Sequence, residues 1–204
     1  MDNSRAVETT ESPWSGAVSP FAISWQKLMM WVFIVTDALL FAGFLASYGF
    51  VRLASPQWPN RAEVFHLGFI GVMTFILISS SATMATAVGA ARRANRTVAV
   101  RFLLLTILGG LCFLGMQVYE WASLIQQGAR LYTNPWGVPT FSASFFLITG
   151  FHGSHVLTGV IILAIVALRS AMGRSTAEGV ELCGLYWHFV DLVWVFIFTL
   201  FYLI

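Results

Sequence analysis

Three pairs of polar residues, Gln117 with Glu120, His152 with His155, and His188 with Asp191, lie inside stretches otherwise built from Phe, Leu, Val and Ile. Asp37 stands alone in a fourth such stretch. Residues three apart share a helix face, so each pair should point one way, into the bundle. An ionisable group in hydrocarbon costs several kcal/mol or is neutralised, so each needs a partner or a purpose. The His/Asp set admits several chemistries. It could form a hydrogen-bonded clamp between helices, helped by Gly150, Gly153 and Gly159, which let helices approach closely. H-x-x-H plus H-x-x-D could supply four metal ligands, and two facing histidines could hold a haem. A proton-conducting role is the fourth reading. The clamp is preferred, because nothing in the sequence suggests an open coordination position.

Asp37 has two readings of equal standing. It is either a carboxylic acid kept neutral by burial and hydrogen-bonded to a neighbouring helix, or an acid that exchanges protons or touches a partner. Gln117 and Glu120 read as interhelical hydrogen-bonders, with Glu120 near the outer membrane boundary and half-solvated. Ser79, Ser80, Ser81, Thr83 and Thr86 read as a small, close-packing face. No nucleotide loop, catalytic triad or metalloprotease motif is present.

The elements that position these residues must be membrane spans. Hydrophobic residues make up 58% of the chain and charged residues 10%, whereas a soluble domain carries roughly 25% charged residues. A net charge of +2 with no basic, aromatic-interleaved run excludes nucleic acid as a partner. Cys112 and Cys183 lack metal or disulfide spacing and read as small buried or interfacial residues. A crossing helix needs about 20 mostly apolar residues, and five segments qualify: 26–51, 66–90, 100–124, 141–168 and 182–204. Residues 1–24 read as a flexible polar tail without a signal-peptide pattern, and 25–204 as one five-helix domain. The expected fold is therefore an all-α membrane protein.

Orientation follows from Lys and Arg. Arg5, Lys27, Arg92, Arg93, Arg96, Arg101, Arg169 and Arg174 fall on one side, and only Arg52, Arg61 and Arg130 on the other. This asymmetry predicts a cytoplasmic N-terminus and an external C-terminus. Trp25, Trp31, Trp58, Trp121 and Trp136 fall near span ends, as an aromatic belt would. Counting along the helices places His155 ~9 Å from the inner edge of the hydrocarbon and Asp191 ~12–14 Å from it. An Asp–His contact is then expected if spans four and five pack together.

The last two spans carry longer signatures. Phe145-Phe146-Leu147-Ile148-Thr149-Gly150-Phe151-His152-Gly153-Ser154-His155-Val156 resembles the "FF…TGFHG.HV" signature of subunit III of haem–copper respiratory oxidases. Tyr186-Trp187-His188-Phe189-Val190-Asp191-Leu192-Val193-Trp194 resembles that family's "YWHFVD.VW". Gln117-Val118-Tyr119-Glu120-Trp121 is similar to its "Q..E", and Trp31 through Phe41 to the first span of the shared core. The resemblance covers about 26–204. Two departures stand out: mitochondrial-type members have two further N-terminal spans, which short bacterial members lack, and they carry a carbodiimide-reactive Glu where Asp37 stands. The extra spans form a lipid-holding cleft, so no particular lipid site transfers, although a phospholipid contact is expected.

The resemblance implies a subunit that binds no haem or copper itself, with those centres on subunits I and II. It implies packing chiefly on subunit I, contact with subunit II and lipid, and possible membership of a respiratory supercomplex in a bacterial cytoplasmic membrane. Its role would be to sustain proton uptake and protect the active site, with Asp37 the candidate for influencing protons. A proton-pumping aa3- or caa3-type cytochrome c oxidase is the leading assignment. The alternatives are a quinol oxidase and an oxidase-like accessory subunit of nitric oxide reductase.

Overall fold

The computed structural model describes residues 24–204, so all of the tail predicted over 1–24 except Ser24 lies outside the described residues. The described residues form helices α1 (Trp25–Ala54), α2 (Arg61–Val64), α3 (Leu67–Arg92), α4 (Arg96–Gln126), α5 (Pro139–Ala171) and α6 (Ala177–Phe198). A π-helical turn, Thr199–Leu203, extends α6. Five of these are long and apolar enough to cross a membrane, α6 together with its π turn counting as one. No strand occurs among the described residues.

The predicted spans match these helices in number and order, but α4 begins at Arg96 rather than 100 and α6 at Ala177 rather than 182. The reason is local. Asn95 accepts a hydrogen bond from the Val98 amide, and Thr176 from the Gly179 amide, so side-chain caps start each helix in polar sequence before the apolar run begins. Ser24 caps α1 in the same way through the Lys27 amide, at 3.2 Å. At the far end of α5, Gly173 adopts φ +73°. Its amide reaches Ser170 O at 3.0 Å while Arg174 N reaches Arg169 O at 2.8 Å, closing the helix with a left-handed cap that suits glycine.

The helices pack as a bundle in which α3 lies against α4, α4 against α5, and α6 against α1, α3 and α5. Close approach is set by glycine at the point where α6 inserts Trp187. A methyl added at Gly110 of α4 would lie 2.6 Å from the Trp187 ring, and one at Gly159 of α5 would lie 3.0 Å from it. Gly150 likewise faces Trp121, whereas Gly153 has nothing within 4 Å and does not mediate an approach within the chain. Trp25 and Trp31 are exposed.

Candidate functional site

The polar side chains do not converge on one centre. They form separate interhelical contacts, each governed by which neighbour its helix face meets. On α6, Trp187, His188, Asp191 and Trp194 recur at helical spacing and line one face. Three of them bond to α3. Trp187 Nε1 donates to Ser80 Oγ at 3.0 Å, His188 Nδ1 lies 2.5 Å from Ser81 Oγ, and Trp194 Nε1 donates to Thr74 Oγ1 at 3.0 Å. Asp191 is buried, neither of its oxygens has a hydrogen-bond partner, and Ser81 is its neighbouring polar group. The Asp–His contact expected between the last two spans is therefore absent as a hydrogen bond among the described residues, and His188 bonds Ser81 of α3 instead. Of the α3 residues expected as a close-packing face, Ser80 and Ser81 supply oxygens to Trp187 and His188 and Thr83 meets Thr106 of α4, while Thr74, outside that set, accepts from Trp194.

The two histidines of α5 also diverge. His152 is 1% exposed. Its ring stacks on Trp194 at 5.3 Å and meets Phe113 edge-on at 5.8 Å, and neither ring nitrogen has a hydrogen-bond partner. His155 instead faces α1, where its Nε2 lies 3.3 Å from Asp37 Oδ2. Asp37, expected to lack a cation in its own helix, thus finds a titratable partner on α5. The contact is close in distance but not aligned as a hydrogen bond. His155 Nδ1 lies 2.9 Å from the Phe151 carbonyl oxygen. A carbonyl can only accept, so Nδ1 carries a proton and Nε2 faces the carboxyl. Phe41 and Phe151 wall the pair, with ring centroids 5.4 and 4.7 Å from His155. Tyr186 of α6 donates to the His155 carbonyl at 3.0 Å, tying a third helix to the same point.

Glu120 differs from its half-solvated expectation. It is 6% exposed, because Tyr202 closes over it. The Tyr202 hydroxyl lies 3.0 Å from both carboxylate oxygens and donates to them, while Gln117 Nε2 donates to Glu120 Oε2 at 2.9 Å. The Gln117–Glu120 pair thus joins α4 to the π turn after α6. Trp121, expected in an aromatic belt, turns inward and donates to Thr149 at 3.2 Å. One membrane end is closed by ions: Glu181 pairs with Lys27 and, at 2.9 Å, with Arg92, and Ser24 bonds Glu178.

Among the described residues no three His, Cys, Asp or Glu side chains come together as a metal site. The ligand types that H-x-x-H and H-x-x-D offered are spread over different helix pairs. Cys183 is buried and Cys112 exposed, both as free thiols. Sequence reasoning missed Trp187, Trp194, Tyr186 and Tyr202 as polar anchors. The seven-residue interval between Trp187 and Trp194, two helical turns, was the available signal.

These features define a polytopic helical membrane protein whose polar residues join its helices. Its relatives say which one. Residues 5–204 match the family model for cytochrome c oxidase subunit III, and the chain belongs to that family. Cytochrome c oxidase subunit 3 of Corynebacterium diphtheriae is 36% identical over 85% of this chain and 85% of its own length. That of Alkalihalophilus pseudofirmus is 32% identical over 86% and 85%. A probable quinol oxidase subunit 3 from Staphylococcus saprophyticus is 31% identical over 88% and 89%. Membership makes the chain a multi-pass membrane subunit of an oxidase complex.

Proposed function

We propose that this chain is the non-redox subunit III of a proton-pumping, aa3- or caa3-type cytochrome c oxidase, packed chiefly on subunit I in a bacterial cytoplasmic membrane. Haem and copper belong to subunits I and II in this reading, and the chain keeps its N-terminus cytoplasmic, as its Lys and Arg distribution favours. The observation that carries the functional part is the Asp37–His155 pair. With Nδ1 committed to the Phe151 carbonyl, His155 Nε2 faces Asp37 Oδ2 across 3.3 Å. An acid and a base this close are each other's partner, which lets both persist in a low-dielectric span. An acid facing a base inside a span is the arrangement required of a group that supports proton uptake.

Asp37→Asn removes the exchangeable carboxyl while keeping its shape. The complex should assemble normally, yet proton-uptake rate or the number of turnovers before inactivation should fall. Normal values for both would overturn the role given to Asp37. The Staphylococcus saprophyticus relative, matched over a similar share of both chains, supports a second reading as subunit III of a quinol oxidase.

A further inference from the structure

At the membrane end that holds Glu181, the turn from α3 to α4 faces the turn from α5 to α6 across a cavity of about 460 Å³. Arg92 and Arg96 line it from one side and Ser170 and Thr176 from the other, and no Asp or Glu takes part. The nearby carboxylates have other partners: Glu181 pairs with Lys27 and Arg92, and Glu178 bonds Ser24. Arg92 keeps further N–H donors beyond the one given to Glu181. Arg96 forms no ion pair among the described residues. Its guanidinium reaches Gly173 of the opposite turn, where an added methyl would meet it at 2.8 Å.

Two helices also begin here. Arg96 opens α4, Ala177 opens α6, and both residues line the cavity. The first amides of a helix lack intrahelical acceptors, and the helix dipole is positive at that end. A separate observation lies on the buried wall. Ser170 is 7% exposed and lines the cavity, yet its hydroxyl makes no hydrogen bond among the described residues. A buried hydroxyl without a partner is uncommon, and an oxygen of a ligand would supply one. Size and lining narrow the ligand. Small-molecule sites occupy roughly 300–1,000 Å³, so a lone phosphate would fill little of this cavity. Two guanidinium forks match two phosphoryl groups. The apolar wall is made of alanines and Val180, which can seat a compact organic group but offer no track for an acyl chain.

We infer that this cavity binds a soluble organic diphosphate, of the class of nucleoside diphosphates, with its phosphoryl groups on Arg92 and Arg96 and one oxygen accepting from Ser170. The site does not depend on which electron donor the oxidase uses. The intact oxidase complex, purified in mild detergent and freed of phosphate by dialysis, would be titrated calorimetrically with ADP. Wild type should bind ADP at a site that R96Q weakens by at least about tenfold and S170A by about threefold. Because Arg96 pairs with no carboxylate, R96Q should keep the haem content and subunit composition of wild type; S170A carries the test if it does not. Inorganic phosphate should bind at least about tenfold more weakly than ADP, and short-chain phosphatidylglycerol should not displace ADP. Absence of ADP binding to wild type, or equal affinity in wild type and the assembled variants, would overturn the site. Phosphate binding as tightly as ADP, or displacement of ADP by phosphatidylglycerol, would overturn its assignment to a soluble diphosphate.

Discussion

Helices α1 and α6 can both cross a membrane, yet the bundle holds them in opposite ways. In its most apolar stretch α6 is 56% buried and α1 only 11%, although α1 is the more hydropathic of the two. In lipid, hydrophobicity does not draw a helix inward, because acyl chains solvate Leu as well as a protein interior does. Polar handles and small facing residues decide instead. The central helix has Trp187 and Trp194, each 0% exposed and each bonded to α3, and Gly110 and Gly159 make room for Trp187. The peripheral helix is held at a few points: Lys27 to Glu181, Asp37 to His155, and Tyr48 to Leu200.

The contrast can be broken most severely at the centre. Trp187→Ala leaves a void between α4, α5 and α6 and removes the indole donor from Ser80 Oγ, so a loss of about 3–5 kcal/mol is expected. Thermal unfolding of the detergent-solubilised complex should show early release of this subunit. Trp194→Phe keeps most of the ring but loses the bond to Thr74. It should cost about 1–2 kcal/mol, read as a smaller drop in the same transition. His188→Leu removes the contact with Ser81 and should lower retention of the subunit on purification more than Cys112→Ala does, because Cys112 is exposed. Equal retention would remove His188 from the α6–α3 seam. The smallest effect belongs to the edge of α1. Lys27→Gln breaks one partner of Glu181 while Arg92 remains, so a change of about 0–1 kcal/mol that shrinks with added salt is expected.

The same contrast explains what could be read from the sequence. Span number and order were legible, because a run of about 20 apolar residues has few alternatives to a crossing helix. The starts of α4 and α6 were less so, because Asn95 and Thr176 cap helices whose first turns hold Arg96 and Glu178 rather than apolar residues. The i, i+3 spacing of His188 and Asp191 identified a shared face but not the neighbour it meets, which depends on how α6 sits among α1, α3 and α5. His152 and His155 show the limit of that spacing, since one stacks on Trp194 and the other reaches Asp37. Burial of Glu120 could not be foreseen from its depth, because Tyr202, on the π turn after α6, covers it. The family signatures in α5 and α6 were legible in full, and the family match agrees with them.

We propose that this chain serves an oxidase without carrying a redox centre. This is tested most directly by purifying the complex through a tag on this chain in mild detergent, then recording a visible spectrum and identifying the subunits. Haem a is expected in the preparation, together with subunit I and a subunit II bearing a copper centre. A copper-free subunit II with quinol oxidase activity would move the chain to the other branch of its family. Isolation of this chain alone, with haem bound to it, would make it a haem protein and not a non-redox subunit.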